Sequence, residues 1–298
     1  KPSQGSIFLE EGVLTPSTAL ACHHGYPPLG NRPKCHSHGS PTSLIPALST
    51  SCNAYFSWGL HFMLDDRRHY PSAAVALEHW KQRMVSLGFG YRLGIDLPGE
   101  KRGYIPNSGV YDKFYKGAWN GHTIISIAIG QGEVLATPLQ ICNLAATIAN
   151  RGYYIVPHVV RKIENAQLDS IYTHRKYTGI DQEHYRVIAQ GMRMAVVGGT
   201  CRGLNMRDVE VCGKTGTAEN PHGKDHSACM AFAPYNEPKV AIAVYVENAG
   251  FGARMAVPLA RVMLERYFHG AQANSEADVE SLSNTVVKAT NNNNRVPR

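Results

Sequence analysis

Three apolar runs in the last third of the chain, separated by short polar turns, limit the possible fold more than any other feature. Val209 and Val211 lead into Lys214-Thr215-Gly216-Thr217, Ala228 to Pro234 follows a polar turn, and Val240 to Val246 follows Tyr235-Asn236-Glu237-Pro238. Apolar runs of this length, bounded by turn residues, read as neighbouring strands. Apolar positions at Val257, Leu259, Val262, Met263 and Tyr267 then predict a closing helix. The first strand carries a cationic amine, hydroxyls and a glycine small enough to let a ligand lie against the backbone.

Upstream the pattern is mostly helical. Residues 6 to 14 read as a helix that Thr15-Pro16 ends. Leu44, Leu48 and Tyr55 predict a helix or helix pair to about residue 64, interrupted near Ser51-Cys52-Asn53. Ala73 to Leu87 is another helix, ending at Gly88. Thr137-Pro138-Leu139-Gln140 is a helix start with Thr as cap, Pro at the first position and Gln140 closing a capping box. Tyr153 to Ile163 is a strand candidate that Pro157 confines to an edge or a break. Asp181 caps a helix to about Val196, while residues 21 to 41 and 94 to 117 read as loops. Helices followed by antiparallel strands and a closing helix predict an α+β domain over residues 1 to 270. Polar residues and the run Asn291 to Asn294 predict a disordered tail over 271 to 298.

Composition excludes some functions. A hydrophobic fraction of 43% supports an ordinary core. The net charge of +7 is spread over scattered Lys and Arg with no basic–aromatic motif, which argues against nucleic acid. Such charge suits an anionic cell-wall polymer or membrane face, and equally a plain solvated surface. No apolar run is long enough to span a bilayer and no signal peptide is visible. Seven cysteines, an odd number, cannot all pair within one chain.

Lys214-Thr215-Gly216 alone is a weak signal, but two companions stand upstream in order. Ser51-x-Asn53 falls near the end of a helical segment, and Lys1-Pro2 precedes Leu9-Glu10-Glu11-Gly12-Val13-Leu14. With Gly94-Ile95-Asp96-Leu97-Pro98-Gly99-Glu100, Gly130-Gln131-Gly132-Glu133 and Thr137-Pro138-Leu139-Gln140, these segments resemble the transpeptidase domain of class B penicillin-binding proteins, most closely the elongation-specific branch. The resemblance covers about residues 1 to 270.

It implies a five-stranded antiparallel sheet flanked by helices, an all-helical lobe, and a cleft between them. It also implies a peptidoglycan D,D-transpeptidase working through an acyl-serine. Lys1 is the expected base, Ser51 a proton relay, and Asn53 a partner of the substrate amide and of the base. Lys214 supplies positive potential, Thr215 and Thr217 bind the peptide carboxylate, Gly216 leaves room for it, and the Thr217 N–H forms half of an oxyanion hole. The nucleophilic Ser of S-x-x-K is expected three residues before Lys1, outside this sequence, so the chain is read as an N-terminally truncated fragment that is inactive alone. Implied partners are stem peptides, the lipid-linked precursor, β-lactams and a membrane glycosyltransferase, at the periplasmic face of the inner membrane. A serine β-lactamase or a β-lactam-sensing domain would share the three motifs. Gly130-Gln131-Gly132-Glu133 lacks the Gly-Lys-Ser/Thr ending of a phosphate loop and reads as a turn before a capped helix.

Cys22, Cys35, His38 and Cys52 form C-x12-C-x2-H-x13-C, three thiolates and an imidazole suited to tetrahedral zinc. The loop between them is too poor in apolar residues to hold itself. Cys52, between Ser51 and Asn53, would point backwards if its neighbours face a cleft. Some elongation-type relatives carry Asp at the first two ligand positions, and Cys there should bind more tightly. His36 could replace His38, and a Cys22–Cys35 disulfide is the competing arrangement in an oxidising compartment.

Overall fold

The computed structural model describes residues 1–270 and 276–291. Its helices are α1 (Pro2–Glu10), α2 (Leu44–Ser49), α3 (Asn53–Asp65), α4 (Ala73–Ser86), α5 (Ser108–Tyr115), α6 (Pro138–Ala149), α7 (Gln182–Val197), α8 (Ala256–His269) and α9 (Glu276–Asn291). Its strands are β1 (Tyr153–Tyr154), β2 (Lys176–Tyr177), β3 (Cys212–Ala218), β4 (His226–Ala233) and β5 (Val240–Val246).

The main sheet is antiparallel with order β3-β4-β5. Lys214 lies opposite Met230, Thr215 opposite Cys229, and Met230 opposite Ala243. β4 is central and covered on both faces, which is why its sequence reads as a nearly unbroken apolar run. On one face Cys212, Met230 and Phe232 join the large core of α1, α3, α4, α6 and α7. On the other, Cys229, Ala231 and Ala233 pack with Ala256, Val257, Ala260 and Leu264 of α8. The expected α+β architecture is present, but the expected five strands are not: among the described residues the main sheet has three, with β1–β2 as a separate pair.

Two glycines let the helices close on one another. A Cβ at Gly59 of α3 would sit 2.4 Å from the Phe8 ring of α1, and one at Gly191 of α7 would sit 2.5 Å from Leu48 of α2. These close approaches set α1 against α3 and α2 against α7, and so place both the first residue of the chain and the α2–α3 turn. Gly59→Val is therefore expected to destabilise the domain by about 1–3 kcal/mol through overpacking. An unchanged melting temperature for that variant would show that Phe8 has room to move.

The expected strand at Tyr153 to Ile163 shrinks to two residues, paired with Tyr177 and Lys176; Pro157 has no N–H to continue a ladder. Within the expected loop 94 to 117 lies α5, capped by Asn107, whose side chain accepts from the Val110 N–H. The tail expected to be disordered contains α9. Its Val279, Leu282 and Val286 recur at helical spacing inside a polar stretch, a stripe that composition alone hides. The rest of that expected tail, 271–275 and 292–298, lies outside the described residues. No described helix is long and apolar enough to cross a membrane.

Candidate active site and thiol cluster

Ser51 sits where α2 ends. The Cys52 N–H donates to the Ala47 carbonyl at 2.9 Å and the Ser51 N–H to the Leu48 carbonyl at 3.3 Å. This bonding pattern closes a helix with its next residue in the left-handed region, usually as glycine. Here that residue is Ser51, at φ 59°. A side chain in that region costs on the order of 1–3 kcal/mol and is typical of functional positions. The turn aims the Ser51 hydroxyl at the start of α1, where Lys1 Nζ donates to Ser51 Oγ at 3.2 Å. Burial, and then the positive charge of Lys214, hold the Lys1 ammonium down to about 7.

Lys214 reaches the same region from β3. It is only 4% exposed, and burial lowers its pKa while Cys201 and Cys229 act in the opposite direction. Its Nζ donates to the Thr215 carbonyl at 3.0 Å. Three residues from distant parts of the sequence thus converge: a lysine partly neutral near pH 7, a hydroxyl bonded to it, and a second buried lysine.

The other expected residues are placed less simply. Asn53 is the first residue of α3, and its Nδ2 donates to the Lys34 carbonyl at 2.6 Å, not to Lys1. The Thr215 hydroxyl directs its proton to Thr200 Oγ1 at 2.9 Å. Gly216 lies opposite Ala228 in the ladder. The Thr217 carbonyl accepts from Gln131 Nε2 at 3.0 Å.

Directly behind Ser51, Cys52 is fully buried and caps α3, its sulfur accepting from the Tyr55 N–H. Cys22, Cys35, His38 and Cys52 present ligand atoms that all lie within 4.8 Å of one another, with the Cys35 and Cys52 sulfurs 3.9 Å apart. The Cys35 sulfur also accepts from the N–H groups of Asn53 at 3.1 Å and Ala54 at 3.3 Å. It therefore sits at the positive end of α3, as a thiolate would. The Cys52 hydrogen bond is the leading cause that pushes the Cys35 thiol well down, while Cys52 itself is pushed up by the same bond. His38 Nδ1 lies 2.8 Å from the Gly39 carbonyl, and its buried Nε2 has no partner. That orphaned nitrogen, with its ring fixed by a backbone carbonyl, is what a metal-ligating histidine needs. His36 packs instead against Phe251, ring centroids 6.2 Å apart, and the three cysteines of the cluster form no disulfide with one another.

The penicillin-binding protein transpeptidase domain family matches residues 1–265. The chain belongs to that family. The domain is 32% identical over 296 residues to the peptidoglycan D,D-transpeptidase MrdA of Haemophilus influenzae, covering 90% of this chain and 43% of that protein. The crystal structure of Pseudomonas aeruginosa PBP2 superposes with a TM-score of 0.74 at 27% identity, over 93% of this chain and 61% of that one. A structure described as coordinating polymerization and crosslinking in a peptidoglycan synthase complex gives 0.75 at 28% identity, over 92% and 46%. This transpeptidase domain thus spans less than half the length of the curated relative. Sequence reasoning missed three of its site groups: the Lys34 carbonyl, Thr200 and Gln131. The first is backbone and leaves no signal; the Gly-Gln-Gly turn was visible, but its reach to Thr217 was not.

Proposed function

We propose that this domain performs the cross-linking step of a cell-elongation peptidoglycan D,D-transpeptidase. The observation that carries the reading is the convergence of Lys1, Ser51 and Lys214 at one place in a transpeptidase-family fold. A serine supplied from Ser-x-x immediately before Lys1 attacks the D-Ala-D-Ala carbonyl and passes its proton to the neutral Lys1 amine. Ser51, hydrogen-bonded to Lys1, relays a proton to the leaving D-Ala amine. An acceptor stem-peptide amine then attacks the acyl-serine carbonyl and gives its proton to Lys1; the ester bond breaks, the serine oxygen takes that proton back, and the cross-link is complete. Lys214 sets the positive potential that attracts the donor carboxylate, and the Thr217 N–H on β3 supplies an oxyanion donor.

The cysteine cluster fits a structural zinc held by Cys22, Cys35, His38 Nε2 and Cys52. The metal would staple the loop between Cys22 and Cys35 to the turn that carries Ser51, and its role is to hold that turn, with no part in acyl transfer. The natural partners are stem peptides of the lipid-linked precursor polymer, β-lactams as their mimics, and a membrane glycosyltransferase that extends the strands. The setting is the periplasmic face of the inner membrane.

A chain carrying Ser-x-x before Lys1 is expected to be labelled on that serine by a fluorescent penicillin, with the adduct located by peptide mass. Only the neutral Lys1 accepts a proton, so the labelling rate should rise as pH passes upward through about 7 and then level off. A rate flat from about pH 5.5 to about 9 would remove Lys1 from the role of base. Hydrolysis of the penicillin within seconds would favour a serine β-lactamase instead.

A further inference from the structure

Among the described residues the main sheet ends at β3, which pairs with β4 alone. Its outer edge is therefore a template on which an extended peptide can add as a strand. One acceptor at this end of the strand is already taken. Gln131 Nε2 donates to the Thr217 carbonyl across 86 positions of sequence, at 3.0 Å. Gln131 stands in a turn fixed on both sides by glycines in the left-handed region, Gly130 at φ 78° and Gly132 at φ 69°. A Cβ at Gly132 would meet Ser126 Oγ at 2.5 Å, so the turn is pressed onto the short helical segment before it. That segment, Ile125–Ile129, is tied to α1 by Gln4, whose Nε2 donates to the Ile127 carbonyl at 3.1 Å. Gln131 is thus rooted in the wall that carries Lys1 and Ser51, and it reaches across to the wall that carries Lys214.

We propose that Gln131 is a positioning residue that holds the Thr217 carbonyl as a placeholder and yields it to a backbone N–H of the acyl donor. The inference rests on the transpeptidase reading above. The donor class it fits has an extended chain with an amide N–H one peptide unit from the reacting carbonyl, as in a stem peptide or in the acylamino group of a penicillin. The exchange replaces one neutral N–H to carbonyl bond by another of the same kind, so the glutamine is easily displaced. It nevertheless competes with every donor that needs the same acceptor. A carbapenem, with a hydroxyethyl group in place of the acylamino group, does not need it.

The test is stopped-flow acylation of the chain carrying Ser-x-x before Lys1, comparing Gln131→Ala and Gln131→Asn with the parent. Asparagine keeps the amide but draws it back by one methylene. Both variants are expected to tighten the dissociation constant of the pre-acylation complex with an acylamino penicillin by about three- to tenfold, the net worth of one neutral hydrogen bond. The gain should lie in that constant and be absent with a carbapenem. Weaker binding, no change, or an equal slowing of both β-lactam classes would overturn the proposal and leave Gln131 as a strut. Circular dichroism and melting of both variants exclude misfolding, and agreement between them is required. A parent chain that fails to label at all would instead overturn the functional reading on which the inference stands.

Discussion

Lys1→Ala, in a chain with Ser-x-x before it, is expected to slow acylation by penicillin by about 10²–10⁴-fold, the range for loss of a positioned general base. The geometry makes the effect specific. Lys1 Nζ is bonded to Ser51 at 3.2 Å, and its lowered pKa follows from burial and from Lys214, so it owes its basicity near neutrality to the fold. Lys1→Arg keeps the charge but not the neutral form, because a guanidinium does not deprotonate in this range. It should therefore be as slow as the alanine variant and should lose the rise with pH through about 7. Residual labelling in either variant that still rose through that pH would move the role of base to another group.

Loss of metal from the cysteine cluster should be comparably severe. Purified domain is expected to carry about one zinc per chain, four ligands to one ion. Stripping it with a strong chelator, or removing a ligand by Cys52→Ser, is expected to cut penicillin labelling by about 10²-fold, the scale for an ångström-sized misplacement at a reacting centre. Cys52 is buried and caps α3, so its replacement also threatens the fold. Cys22→Ser, at the far end of the loop, separates the two effects: it should lose zinc and labelling while most of the domain still melts cooperatively. Protein free of metal with undiminished labelling would end the assignment. So would a disulfide between Cys22 and Cys35 in the native protein.

The meeting of Lys1, Ser51 and Lys214 is legible in the sequence, because these residues lie in short segments with fixed spacing. The lysine, serine and glycine-containing strand each sit beside a turn or cap that sequence marks clearly. Thr137 and Gln140 illustrate the point, since both halves of their capping box are present. What stayed hidden were relations between a side chain and a distant backbone group. No spacing announces that Asn53 reaches the Lys34 carbonyl, or that Gln131 reaches Thr217. Short elements were missed for a related reason. α5 is eight residues long, too short for periodicity to stand out against its glycine-rich surroundings. The sheet was over-counted because the family resemblance supplied five strands, whereas the described residues contribute three to it.

The turn at Ser51 joins two demands that pull apart. Its backbone asks for glycine, since any side chain strains the left-handed conformation that closes α2. Its place beside Lys1 asks for a hydroxyl. Glycine at position 51 would relax the turn and remove the hydroxyl that Lys1 bonds. Serine at position 51 is thus a poor choice for how the chain folds and a good one for the contact with Lys1.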